Sequence, residues 1–393
     1  MSRKYLTVGV ALVAAAGLAV ACAGPRNAAQ PPAAPAALAS DQIGWETFAQ
    51  IMAPAGNPKT TNVEFETWAS DDDIYGSAGP HWPLVGAAKV LHASQLGAAL
   101  APHPIRVQVI NPADCVQNYS KTTAAAAHFP KDGCIGEEVR RNWGTYQYIV
   151  SNNLYSRPGL VQAFAHNLKV DLPADAVELK GNWVKVPTLI QWLKDAENLT
   201  LTAEQVRGLY YTNTATDSTG TAEFALVSVH FSTKQQKNWV WADFEHELNP
   251  GRCDDIGCKD SFGATTAVMP AHATGDAWKA YPACAKSPAL QKMFADAGLS
   301  AVWSHYCLKG SQTDFVDANK QPIKLGNSVI EAINAGVPIN QSSCISCHAY
   351  ASFDKAGTAN FAALKLNAVG EIDQKNLKGF LTNDFIWGNT DIP

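Results

Sequence analysis

The chain has 393 residues, 47% of them hydrophobic and 17% charged, which is the composition of a globular protein with a sizeable core and excludes a disordered chain. Its formal net charge of −5 comes with no cluster of Lys and Arg in the body of the chain. That balance excludes nucleic acid as a partner, because phosphate binding needs gathered positive charge.

Residues 1–21 read as a signal peptide. Arg3 and Lys4 open it, an apolar run from Leu6 to Val20 follows, and small residues close it. Gly9 and Gly17 interrupt the run, which is short for a membrane span. Leu18-Ala19-Val20-Ala21-Cys22 resembles a bacterial lipobox, which places a lipid on Cys22, although Ala19 stands where Leu is usual. The competing expectation is ordinary cleavage after Ala21 or Ala23. Residues 22–40, rich in Pro and Ala, cannot bury a core and read as a tether. The expected location is the periplasm or the outer membrane.

Residues 41–325 are expected to form an α+β domain, strand-rich in its centre and flanked by helices. Residues 326–393 are expected to form a short helical haem c segment packed on it. Trp45, Phe48 and Met52 fall near helical spacing over 41–52, with Ser40 or Asp41 as cap. The run Asp71–Asp73 reads as an exposed turn, since the spacing of a calcium loop is missing. Alternation predicts a strand over 176–186, followed by a helix over 188–199. Thr202 and Gln205 form a capping box that opens a helix over 203–212. Residues 222–246 read as a hairpin around the polar turn STKQQKN. By the period of two, Val240, Ala242, Phe244 and His246 share one face of its second strand, and Trp239, Trp241, Asp243 and Glu245 the other. On the first strand His230 points away from Val227, Val229 and Phe231. Ser287-Pro288 starts a helix that runs to Gly298, and 328–336 is a further short helix.

Nine cysteines in an exported chain predict disulfides. With Cys22 lipidated and Cys344 and Cys347 set aside, six remain, and neighbour pairing gives Cys115–Cys134, Cys253–Cys258 and Cys284–Cys307. Metal ligation by Cys253 and Cys258 is the competing expectation, but only aspartates stand nearby, and a zinc site wants further thiol or imidazole ligands.

The sharpest motif is Cys344-Ile345-Ser346-Cys347-His348. Two thiols at this spacing each add to one vinyl group of a porphyrin, and the adjacent imidazole becomes an axial ligand of the iron. The expected cofactor is therefore one covalent haem c, with His348 on the iron. A C-x-x-C redox pair is the alternative, and it lacks a thioredoxin-like βαβ setting. No Met, His or Cys follows His348, so a sixth ligand has to come from upstream. His246 is the leading expectation, because it ends an apolar strand face; Met269, His272, His230 and an open iron are the alternatives.

The segments GWETFAQIMAP, FETWASDDDIY, VELKGNWVKV, FALVSVHF, WVWADFEHELNPGRCD and SSCISCHAYASF resemble those of large, single-haem, exported bacterial cytochrome-c-like proteins with no assigned function. That resemblance implies that Trp239, Trp241, Glu245 and His246 are haem-proximal, whereas ordinary strand packing explains paired aromatics equally well. The expected function is transfer of one electron between redox partner proteins. A haem enzyme or sensor with an open iron, and a ligand-binding lipoprotein with a structural haem, are the alternatives.

Overall fold

Alternating side chains on seven segments build one antiparallel sheet. In the computed structural model, which describes residues 39–56, 61–92, 128–272, 280–335, 337–365 and 369–388, its strands are β1 (Ala69–Ser70), β2 (Ile135–Arg141), β3 (Val177–Lys185), β4 (Thr212–Asp217), β5 (Gly220–Thr233), β6 (Val240–His246) and β9 (Tyr306–Gln312). Two small ribbons lie apart from it, β7 (Cys258–Lys259) with β8 (Val268–Met269), and β10 (Ser352–Phe353) with β11 (Leu381–Thr382). The order in the large sheet is β1-β2-β3-β5-β6-β9. The long β5 is shared, since Gly220–Ala225 pairs with β4 and Ser228–Thr233 with β6. The protein is thus of the α+β class, and the hairpin over 222–246 is present. The expected leader, most of the expected tether, Cys22 and Cys115 lie outside the described residues.

Helices α1 (Ser40–Ile51) and α7 (Pro288–Asp296) cover one face. Trp45, Phe48, Leu179, Phe231, Phe244 and Phe294 form the core there, and Met52 is buried with them. Asp41 is not a cap. Its carboxylate accepts from Ser261 N at 2.8 Å and from Ser311 Oγ, tying α1 to a loop and to β9. Helix α7 starts as expected, with Ser287 Oγ accepting from Leu290 N at 3.2 Å.

The other face carries α3 (Trp143–Ser151), α4 (Arg157–Ala165), α5 (Val186–Glu197), α6 (Ala203–Leu209) and the chain beyond residue 325. Thr202 and Gln205 cap α6 reciprocally, at 2.8 and 3.2 Å. Two further expectations needed correction. Asp71–Tyr75 is a short helix, α2, capped by Ser70, rather than an exposed turn, because Asp71 pairs with the buried Arg141. The segment at 328–336 is a wider π-helix over Ile330–Ala335. Strands β2, β4 and β9 and helices α3 and α4 were not foreseen.

Trp45 is fully buried, and its Nε1 donates to Asp260 Oδ2 at 2.9 Å. Gly263 lies so close that a Cβ there would collide with the indole. Trp45→Ala is expected to lower stability by about 3–5 kcal/mol, as for other large aromatic truncations. Gly263→Ala should also lower the urea midpoint, and no change in either midpoint would contradict this packing.

Candidate functional site

The face of the sheet turned toward the C-terminal segment is polar, although it is inside the protein. Strand pairing lays its residues in rows. One row is Val139, Lys180, His230, Asp243 and Gly310; the next is Arg141, Glu178, Ser232, Trp241 and Gln312. Burial of such groups is tolerated only where partners satisfy them. Asp243 Oδ1 accepts from Asn327 Nδ2 at 2.6 Å, and Glu245 accepts from Ser328 N at 2.8 Å and lies 3.4 Å from the buried Lys309. These contacts dock residues 325–331 on β6. Gln312 then receives the following turn: its Oε1 accepts from Ile345 N at 3.3 Å and its Nε2 donates to Ser343 Oγ at 3.1 Å.

The result is a helix α8 (Cys344–His348) held against the sheet beside a cavity that is partly open to solvent. Cys344, Cys347 and His348 line it on one side, and His230, Trp241, Lys180, Glu178 and Arg141 line it from the sheet; Phe361, Leu364 and Trp387 add apolar surface. The two thiols sit one helical turn apart, as i, i+3 residues on the same side of α8.

The electrostatics of the cavity are set by burial. Burial pushes the Cys347 thiol up to about 12 and Cys344 well above its ordinary range, so neither is a thiolate. A reactive redox pair has the opposite character. Burial holds the His348 imidazole down to about 4, against the pull of its bond to Phe385 and with help from the Lys180 charge. His348 is therefore neutral, and its Nδ1–H donates to Phe385 O at 2.8 Å. Nε2 is left as the nitrogen with a free lone pair. Ligating histidines have this arrangement, the second nitrogen being fixed by a carbonyl or carboxylate. Trp241 packs against the same ring, centroid to centroid 4.6 Å. Lys180 pairs with Glu137 at 3.2 Å, and Arg141 with Glu178 at 2.7 Å and with Asp71.

The residues singled out in the sequence fall in different places. Trp241 reaches the cavity. Trp239 is buried behind it, 6.4 Å away between ring centroids, with φ +62° at the end of the hairpin turn. His246 is not at the cavity. It lies on the opposite face of the sheet, stacked on Tyr210 at 3.4 Å, and both of its nitrogens are engaged. Nε2 meets Leu209 O at 3.1 Å and Nδ1 accepts from Leu248 N at 3.2 Å. Met269 and His272 are in the region of the β7–β8 ribbon, where His272 stacks on Tyr281. His230 does line the cavity, with its ring centroid 6.5 Å from that of His348. Disulfides join Cys253 to Cys258 and Cys284 to Cys307, and Cys134 is bonded as well. Among the described residues only Cys344 and Cys347 are free. The sequence reading missed Arg141, Glu178, Lys180 and Glu331. For Arg141, Glu178 and Lys180 the signal was the pattern on β2 and β3, which in isolation looks like a solvated face.

Glu331 is buried at the cavity rim, and burial pushes its pKa up to about 7 from an ordinary 4.5. A carboxyl raised on folding stabilises the fold while protonated, fully below 4.5, and loses that contribution as pH rises through about 7. The urea midpoint is expected to fall over that interval. Glu331→Gln should flatten the slope, and a variant with an unchanged pH profile would assign the effect elsewhere.

No protein-family model, no curated protein and no solved structure matches this chain.

Proposed function

We propose that the chain holds one haem c through Cys344, Cys347 and His348 and passes single electrons between redox partner proteins outside the cytoplasm. The observation that carries this reading is the state of the cysteines. Every other described cysteine is in a disulfide, while the two thiols of C-x-x-C-H stay free and line one cavity. The donor set fits the group. His348 is neutral and oriented by Phe385, and two thiols face the same space.

The haem, when bound, supplies a reversible one-electron couple. The chain's own residues do the rest. Phe385 fixes the His348 tautomer and raises the basicity of Nε2. Trp241 packs against the imidazole, and Phe361, Leu364 and Trp387 give the cavity apolar lining. Disulfides suit an oxidising compartment. A lipid on Cys22 would hold the protein near membrane-bound partners and raise their effective concentration. Its acidic balance suits a basic partner surface.

A second reading, a haem enzyme or sensor with an open iron, is favoured by one observation. Arg141, Glu178 and Lys180 line the same cavity and would suit a small polar ligand.

The full chain, made alongside a haem c maturation system, is expected to keep its pigment through denaturation and extraction into acidified solvent. Potentiometric titration should give a single one-electron wave, and hydrogen peroxide should not be turned over. Cys344→Ala with Cys347→Ala should release the pigment. Freely extractable pigment would end the haem c reading, and rapid peroxide turnover would favour the enzyme.

A further inference from the structure

Granting the haem of the preceding section, we propose that His230 is the second axial ligand of its iron, on the side opposite His348. Four observations converge on this residue.

First, among the described residues that line the cavity, only His348 and His230 are imidazoles, and none is Met or Tyr. Lys180 is the other nitrogen donor, but its ammonium is held by Glu137 at 3.2 Å and would have to lose a proton. Glu178 and Glu331 offer oxygen, a harder donor that suits haem iron less well than imidazole does.

Second, the spacing fits one metal between two rings. Metal–imidazole bonds are about 2 Å long, so two rings bound on opposite sides of one metal stand roughly 6 Å apart between centroids. The observed separation is 6.5 Å, with the ring planes inclined at 77°.

Third, His230 has a buried nitrogen without a partner, Nδ1, and Asp243 has a buried oxygen without one, Oδ2. A ring nitrogen of His230, a carboxylate oxygen of Asp243 and Cys344 Sγ lie within 4.8 Å of one another. Asp243 is therefore a neighbouring acceptor for Nδ1–H, not bonded to it here, comparable in kind to the Phe385 carbonyl at His348.

Fourth, His230 is on β5 where that strand is paired on both sides, with Lys180 of β3 and Asp243 of β6. A ligand on a strand held from both sides is positioned more exactly than one on a loop. His246, two residues from the end of the apolar run on β6, has neither a free nitrogen nor access to the cavity.

The test uses the full chain matured with haem. The native protein is expected to be low-spin in both oxidation states and to show no spectral change with carbon monoxide. His230→Ala should retain covalent pigment on a denaturing gel, become high-spin, and bind carbon monoxide. Added imidazole should restore the low-spin spectrum. Lys180→Ala should stay low-spin. If His230→Ala does not fold, pulsed EPR of the native protein labelled with ¹⁵N-histidine decides, and two coordinated imidazoles are expected. A single coordinated imidazole, a native protein that binds carbon monoxide, a low-spin His230→Ala, or conversion by Lys180→Ala instead would each overturn His230 while leaving the attached haem standing. Native protein with no covalent pigment would overturn the haem reading itself.

Discussion

The inward polar face of the sheet is the constraint on which the rest depends. Asp243, Glu245 and Gln312 point from β6 and β9 into the protein, where each would be costly if left unpaired. Residues 325–346 answer them with backbone and side-chain groups of Asn327, Ser328, Ser343 and Ile345. The tail of the chain is therefore located by hydrogen bonds as well as by apolar contact. Breaking one partner of such a network costs far more than a surface pair contributes. That makes the docked position of α8 well defined.

Where those partners run out, the cavity begins. Lys180, Arg141 and Glu178 are paired among strands β2 and β3, with help from Asp71 at the start of α2. His230 is left between them and Asp243 with a nitrogen unsatisfied. Burial, together with the Lys180 charge, holds its pKa well below the ordinary imidazole range. Two neutral imidazoles and two protonated thiols surround one space. It is a poor arrangement for a thiolate nucleophile, and it suits the proposed haem, whose vinyl groups the thiols would meet. In the proposed electron carrier, the rigid sheet would keep the ligand geometry constant between oxidation states.

The C-x-x-C-H motif was legible because it is local: two thiols and an imidazole within five residues need no tertiary information. The hairpin at 222–246 was legible for the same reason, since alternation and a polar turn suffice, and the period of two already set His230 apart from Phe231. The cysteine pairs 253–258 and 284–307 followed from proximity in sequence. His246 was misplaced by a sound local cue with two outcomes. An imidazole that ends an apolar strand face can border a cofactor or be sealed in a core, and here Tyr210, Leu209 and Leu248 seal it.

Alternation also hid the other wall of the site. Glu178, Lys180 and Asn182 on β3 repeat as a solvated strand does, and only the chain folding back over them makes that face interior. The sequence by itself determined the strand periodicity, the helix caps at Thr202 and Ser287, and the identity of the thiols and imidazole on α8, because each depends on neighbours along the chain. Tertiary structure alone decided which sheet face the tail covers, which histidine shares its cavity, and which charges are neutralised there. Those depend on residues distant in the chain meeting across strands, and their pairing energies exist only once the sheet is assembled.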